Sequence, residues 1–228
     1  YLEVNCANVP STLLESELFG YKKGAFTGAW RDKPGKFHLA AEGSIFLDEV
    51  SEMPPEMQAK LLQVIQDGSF SPVGSVESQQ CNVRVVAATN ADLKKIMANG
   101  RFRKDLYYRL AVITLTLPPL RERPEDIPIL ASYFFERYSA MYNNGPHEPD
   151  EDTWDVLERY DWPGNVRELE NTVKSLVALG NERIILDDLH RKVNSERSND
   201  SDKLGRQLLA SKTGAVTLKD IASQAAEE

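Results

Sequence analysis

The string SIFLDE, residues 44–49, carries the densest chemistry in this sequence of 228 residues. An apolar run of strand type ends there in two adjacent acids, Asp48 and Glu49. In a parallel sheet both carboxylates fall at the carboxyl edge, where open α/β folds bind ligands. The first acid of such a pair can orient the water shell of Mg²⁺, and the second can act on an attacking water. The same string also fits a strand that simply exits into a polar loop. AATN, residues 87–90, ends a second run of strand type. Its amide, Asn90, beside Thr89, could sense a terminal phosphate from the same edge, although Thr-Asn after a strand is also an ordinary turn and cap. RFRKDLYYRL carries Arg103 and Arg109. Six residues apart on a helix, they diverge by roughly 120°. They are either a solvated basic face with Leu106 and Leu110 inward, or arginines delivered to a neighbouring subunit's nucleotide to neutralise transition-state charge. WPGNVRELEN, residues 162–171, starts a helix with Arg167 in its first turns. A cation there opposes the helix dipole, which slightly favours a purpose other than a surface pair.

GAFTGA, residues 24–29, is of another kind. Gly24, Ala25, Gly28 and Ala29 are small and frame one aromatic, Phe26, and one hydroxyl, Thr27. Small residues let a loop approach a partner closely and adopt positive φ. A lone Phe on such a loop is either a plug folded back on its own domain or an exposed anchor for a protein partner.

The elements that must position these groups follow from periodicity. Residues 1–5 form a short strand, with Leu2 and Val4 on one face. Ser11 is a fair N-cap for a helix holding Leu13, Leu14 and Leu18. Residues 20–35 form a glycine-dense loop, and residues 36–42 a helical segment ending at Gly43. Pro54 and Pro55 open a helix with Met57, Leu61, Leu62 and Ile65 at helical spacing. Residues 73–80 are a polar loop, and 83–88 a buried strand. Helices over 92–98 and 102–110 precede an alternating strand over 112–117. This alternation implies a mostly parallel α/β sheet. Beyond Pro118, stretches 127–142, 152–160 and 165–179 form a small all-helical domain. Residues 195–203 are a polar linker, and 217–228 begin a further helix.

Composition is that of a soluble globular chain, 41% hydrophobic and 27% charged. A formal net charge of −8 argues against an autonomous DNA-binding module. Cys6 and Cys81 form neither a disulfide framework nor a metal spacing, and are expected as buried thiols in a reducing cytosol. No apolar run reaches membrane-spanning length. A first residue of Tyr rather than Met suggests a start elsewhere.

The ordered set ESELFGYKKGAFTGA, SIFLDEVSEMP, AATNADL, FRKDLYYRL, LPPLRERPEDIP and YDWPGNVRELEN resembles one family, the bacterial AAA+ activators of sigma-54 RNA polymerase. The likeness spans residues 4–189. It implies an AAA+ three-layer α/β/α subdomain over 1–120, a helical lid over 121–193, and a linker with the start of a helix over 194–228. By that resemblance Asp48 and Glu49 are the Walker B pair, with Asp48 on the metal. Asn5 matches the asparagine that holds the catalytic glutamate. Thr89 and Asn90 match sensor I, Arg103 and Arg109 the trans-acting arginines, and Arg167 the lid's sensor II. Phe26 and Thr27 match the loop tip on sigma-54. ATP and Mg²⁺ are the implied cofactors and the bacterial cytoplasm the implied place. A ring, usually a hexamer, is implied because each nucleotide lies between subunits.

The sequence departs from that family in places. No GxxxxGK stands anywhere in residues 1–228. The phosphate-binding loop is therefore expected upstream, and this chain alone is expected to bind ATP poorly. A C-terminal DNA-binding domain and a sensory or two-component receiver domain are likewise expected outside it. Pro72 stands where the family usually has arginine in a second protruding loop, and His38 where it usually has glutamate. The leading expectation is an ATP-hydrolysing activator that remodels the closed promoter complex. The alternative is a non-hydrolysing relative acting as a protein-interaction module, against which the intact GAFTGA argues.

Overall fold

The computed structural model describes residues 1–142, 149–179, 185–187 and 189–191. The expected linker over 195–203 and helix over 217–228 lie outside the described residues. The chain divides into two compact units, Tyr1–Leu115 and Thr116–Glu228.

The first unit is built on a parallel sheet of three strands, β1 (Leu2–Asn5), β4 (Ser44–Asp48) and β7 (Arg84–Ala87), with β4 in the middle. Residue 2 pairs with 45 and residue 5 with 48; on the other side 44 pairs with 84 and 47 with 87. Ile45 and Leu47 of the central strand are fully buried. They explain why this segment folds as the spine of the core: β-branched and aliphatic side chains have neighbours on the sheet face and a ladder on both edges. Helix α1 (Ser11–Phe19) buries Leu14 and Leu18. Helix α3 (Pro55–Asp67) buries Met57, Gln58, Leu61, Leu62 and Val64 and stops at Gly68. Helices α4 (Leu93–Ala98) and α5 (Lys104–Leu110) follow β7. Asp92 caps α4, accepting from Lys94 N at 3.0 Å.

Several expectations are corrected. Ser11 is not an N-cap: the cap position is Pro10, whose fixed φ suits the helix entry, and Ser11 is already helical. The glycine-dense loop over 20–35 is closed by a ribbon of β2 (Gly20–Tyr21) and β3 (Lys33–Pro34). The polar loop over 73–80 ends in β6 (Gln79–Gln80), which pairs with β5 (Ser69–Phe70). The helical segment expected over 36–42 is a single turn, α2, Lys36–Leu39. Residues 112–117 are not a strand, and Val112, Ile113, Leu115 and Leu117 are exposed. Alternation specifies faces, but a strand also needs a ladder partner, and none pairs with this segment among the described residues.

The second unit packs α6 (Asp126–Tyr142), α7 (Glu151–Arg159) and α8 (Asn165–Leu179) around Trp162, Leu157, Leu169 and Val173. The fully buried indole of Trp162 donates to Leu157 O at 2.9 Å, so its one polar atom is satisfied. Among the described residues no helix is long and apolar enough to cross a membrane.

Leu61 is fully buried on α3 in the core of the first unit. Leu61→Ala is expected to destabilise the first unit by about 2–5 kcal/mol through lost burial and a residual cavity. A lowered urea midpoint with an unchanged m-value in circular dichroism would register it.

Candidate active-edge site and glycine loop

The ends of the three parallel strands meet at one level. Cys6 N donates to Asp48 O at 2.9 Å, Ala88 N to Leu47 O at 2.9 Å, and Val50 N to Ala88 O at 3.0 Å. The chain then leaves the sheet abruptly at Glu49, whose backbone is left-handed at φ 51, ψ 46. For a residue with a β-carbon that conformation costs on the order of 1 kcal/mol. It is held by the Val50 bond and by Asp48 Oδ1, which accepts from Glu49 N at 3.0 Å. The 3₁₀ turn Val50–Glu52 follows at once.

Asp48 and Glu49 are both half-buried, and each has an amide partner. Asn5 Nδ2 donates to Asp48 Oδ2 at 3.0 Å. The orientation of that amide is settled by its other end: Asn5 Oδ1 accepts from Ala7 N and Asn8 N at 3.0 and 3.1 Å, so its NH₂ faces the acid. Asn90 Nδ2 donates to Glu49 Oε1 at 3.1 Å. The resemblance placed Asn5 on the glutamate. Here Asn5 is in register with Asp48 and bonds it, and Asn90, beyond the end of β7, holds Glu49. Thr89 uses its hydroxyl within the fold, donating to Ser51 Oγ at 2.9 Å and accepting from Ala91 N at 3.1 Å.

The donor set limits what cation could sit here. No group of three or more His, Cys, Asp or Glu that could hold a metal exists among the described residues. Asp48 with Glu49 suits Mg²⁺ arriving with its waters and a phosphate, since Mg²⁺ is commonly bound by one or two carboxylates plus substrate oxygens. Cys6 lies beside this edge. Burial, with the Asp48 charge as the smaller cause, pushes its thiol up to about 11. Cys81 is also buried, and burial raises its thiol too.

Arg103 is placed differently from expectation. It is the residue before α5, in extended conformation, not a member of the helix, so the 120° divergence from Arg109 does not apply. Its guanidinium forms a fork with Asp105 at 3.0 and 2.7 Å. The pairing holds the Asp105 carboxyl below its usual range and raises the guanidinium. Arg109 is exposed and donates to Ile65 O at 3.4 Å. In the second unit, Arg167 is exposed on the first turn of α8. That turn is capped by Glu168, which accepts from Gly164 N at 2.8 Å and from Tyr160 Oη at 3.1 Å.

The GAFTGA segment is displayed from a stiff base. A β-carbon on Gly20, at φ +77, would meet Lys33 O at 2.4 Å, so only glycine lets the ribbon close. Gly24 N donates to Ala29 O at 2.8 Å, and Ala29 N to Phe26 O at 3.1 Å. Phe26 is 43% exposed, with its ring edge-on to Tyr21 at 4.9 Å. Thr27 is exposed. The ring therefore rests on its own loop and still faces solvent. Asp32 accepts from Lys22 Nζ and Lys23 N, both at 2.8 Å, across the base. The second loop is stitched to the first: Lys22 N donates to Val73 O at 3.0 Å and Val73 N to Gly20 O at 2.9 Å. A β-carbon on Gly74 would lie 2.7 Å from Ala25 Cβ. Pro72 is buried at the foot of that loop, and His38 is exposed on α2.

Tyr21, Asp32, Ser51, Asp105 and Gln58 were not singled out from sequence. Gln58 had a signal: it sits three, four and seven residues before Leu61, Leu62 and Ile65, a polar residue on the apolar stripe.

A parallel sheet with an acidic pair at its carboxyl edge, flanked by helices and followed in the chain by a helical unit, has AAA+ architecture. Residues 1–116 match the sigma-54 interaction domain and residues 121–206 the AAA+ ATPase lid domain. The chain belongs to this family of sigma-54-dependent transcription activators. It is 49% identical over 179 residues to the phenol regulator MopR of Acinetobacter guillouiae, covering 78% of this chain and 32% of that protein. It is 47% identical over 185 residues to the DNA-binding transcriptional regulator NtrC of Azospirillum brasilense, covering 81% and 38%. The chain thus spans about a third of the length of these relatives. The crystal structure of NtrX from Brucella abortus in complex with ATP superposes with a TM-score of 0.71 at 35% identity, covering 78% of this chain and 38% of that one.

Both thiols are expected to resist modification in the folded chain. Their raised pKa values keep them protonated at pH 8, and only the thiolate reacts. A chromogenic disulfide reagent at pH 8 should react slowly with native protein and rapidly with both cysteines in denaturant.

Proposed function

We propose that the full-length protein carrying this chain is an ATP-hydrolysing activator that remodels the sigma-54 RNA polymerase closed complex and so permits promoter opening. The observation that carries this reading is the pair Asp48 and Glu49, each held by its own amide, at the carboxyl edge of the sheet in a sigma-54 interaction domain. ATP, brought with Mg²⁺, supplies a phosphoanhydride whose hydrolysis drives the change. Asp48 would hold Mg²⁺ through its water shell. Glu49 takes the proton of the attacking water once Asn90 releases it, because a carboxylate accepting an amide N–H is a weaker base than a free one. Asn5 keeps Asp48 in place, and Thr89 sets Asn90 through the turn it caps.

Arg103 and Arg109 act on a neighbouring subunit's nucleotide, and Arg103 exchanges Asp105 for phosphate oxygens when it does so. Arg167 contributes from the lid. The working assembly is a ring, a hexamer on the family pattern, in the bacterial cytoplasm. Phe26 and Thr27, in the frame of Gly24, Ala25, Gly28 and Ala29, contact sigma-54. Enhancer DNA is bound by a part of the protein outside residues 1–228, since a net charge of −8 argues against an autonomous DNA-binding module within them. The domain limits 1–120 and 121–193 follow from the same reading.

In the full-length protein, Glu49→Gln should lower ATP turnover roughly 100-fold or more while assembly persists. Phe26→Ala should leave turnover near wild type and abolish retention of sigma-54. Turnover near wild type in the first variant would remove Glu49 from the mechanism.

A second reading is a non-hydrolysing interaction module, against which the intact GAFTGA argues. A fluorescent ATP analogue separates the two. Under the leading reading the full-length protein binds it and residues 1–228 alone do not bind at micromolar concentrations. No binding by either would favour the interaction module.

A further inference from the structure

We propose that Gln58 is a positioning residue that sets the arginine segment, tying Arg103 to the turn that follows Glu49; this rests on the trans-acting reading of Arg103. Gln58 is completely buried on α3. Its amide makes three hydrogen bonds to backbone groups. Nε2 donates to Met53 O at 2.8 Å and to Arg101 O at 3.0 Å, and Oε1 accepts from Arg103 N at 2.9 Å. Both N–H groups are thereby used, together with the oxygen.

A hydrocarbon of the same length would fill the space without desolvating an amide, and its neighbours on the stripe, Leu61 and Leu62, are hydrocarbon. A buried amide persists there only with its partners in place. Those partners are telling. Met53 closes the 3₁₀ turn that begins next to Glu49, with Met53 N donating to Val50 O at 3.2 Å. Within that turn Ser51 accepts from Thr89. Arg101 and Arg103 flank Phe102, itself 2% exposed, at the start of α5. One side chain therefore joins the turn after the acidic pair to the root of the arginine. As the residue before α5, Arg103 has no helical acceptor for its N–H, and Gln58 supplies it. The guanidinium end is free to exchange Asp105 for another anion while its backbone root stays fixed.

Gln58→Met keeps the length and removes all three bonds. In the full-length protein we expect kcat to fall about 100-fold with KM within about twofold, as for a catalytic group displaced by about 1 Å. The deciding experiment mixes subunits. Gln58→Met subunits keep Glu49, and Glu49→Gln subunits keep a correctly set arginine. Mixed assemblies should turn over ATP faster than either parent, because the Glu49→Gln neighbour supplies the arginine. Arg103→Ala mixed with Glu49→Gln is the reference pair. Recovery by the reference but not by Gln58→Met would overturn this inference alone, and so would wild-type kcat in Gln58→Met. No recovery by the reference would overturn the reading of Arg103 and this inference with it. Should Gln58→Met fail to fold, Gln58→Leu, which also removes all three bonds, goes through the same mixing with the same deciding outcomes.

Discussion

The hydrogen bonds that close β1, β4 and β7 at their carboxyl ends are the constraint on which the rest of the first unit depends. In register, they bring Asn5, Asp48 and the segment after Ala87 to one level. A parallel ladder does not by itself aim side chains at one another, since successive residues alternate faces. The sharp exit at Glu49 solves that problem. By leaving the pleat one residue after Asp48, the chain puts two consecutive carboxylates within reach of amides from the two flanking strands' ends. The same exit starts the turn that Ser51 and Met53 anchor to Thr89 and to Gln58.

The glycine loop is governed by a different economy. Its stiffness comes from backbone bonds and one ion pair at the base, not from a core of its own. The Lys22–Asp32 pair is solvent-exposed and contributes little energy, but with Lys23 N on the same carboxylate it fixes geometry. Phe26 packs edge-on against Tyr21 and stays partly exposed. Two backbone bonds to Val73 make the second loop part of the same base, so the segments 20–35 and 71–76 are one mechanical object.

Much of this was legible from residue types. The apolar runs around Ile45 and Val85 are strands and the Met57–Leu61–Leu62 spacing is a helix, because strand and helix write different periods; the strand over 84–87 is not buried as expected, with Val86 exposed. The helical unit was legible for the same reason, through Leu157, Leu169 and Val173. What failed needed partners rather than patterns. The alternation at Val112, Ile113 and Leu115 joins no ladder among the described residues. Arg103 was placed on a helix that begins one residue later, a boundary decided by where Gln58 accepts a hydrogen bond. The partner of Asn5 was decided by register, which no local string encodes. Gln58 itself was visible as an amide in an apolar row, but its meaning lay in two segments distant in sequence.

The left-handed backbone at Glu49 has a consequence for how this chain can evolve. Glycine would adopt that conformation without steric cost, so the residue best for folding at position 49 is one with no side chain at all. A carboxylate persists there against a conformational penalty on the order of 1 kcal/mol. Selection for thermal robustness alone would drift this site toward glycine and erase the acid we assign to water activation. Sequence libraries sorted only for stability should therefore enrich glycine at this position.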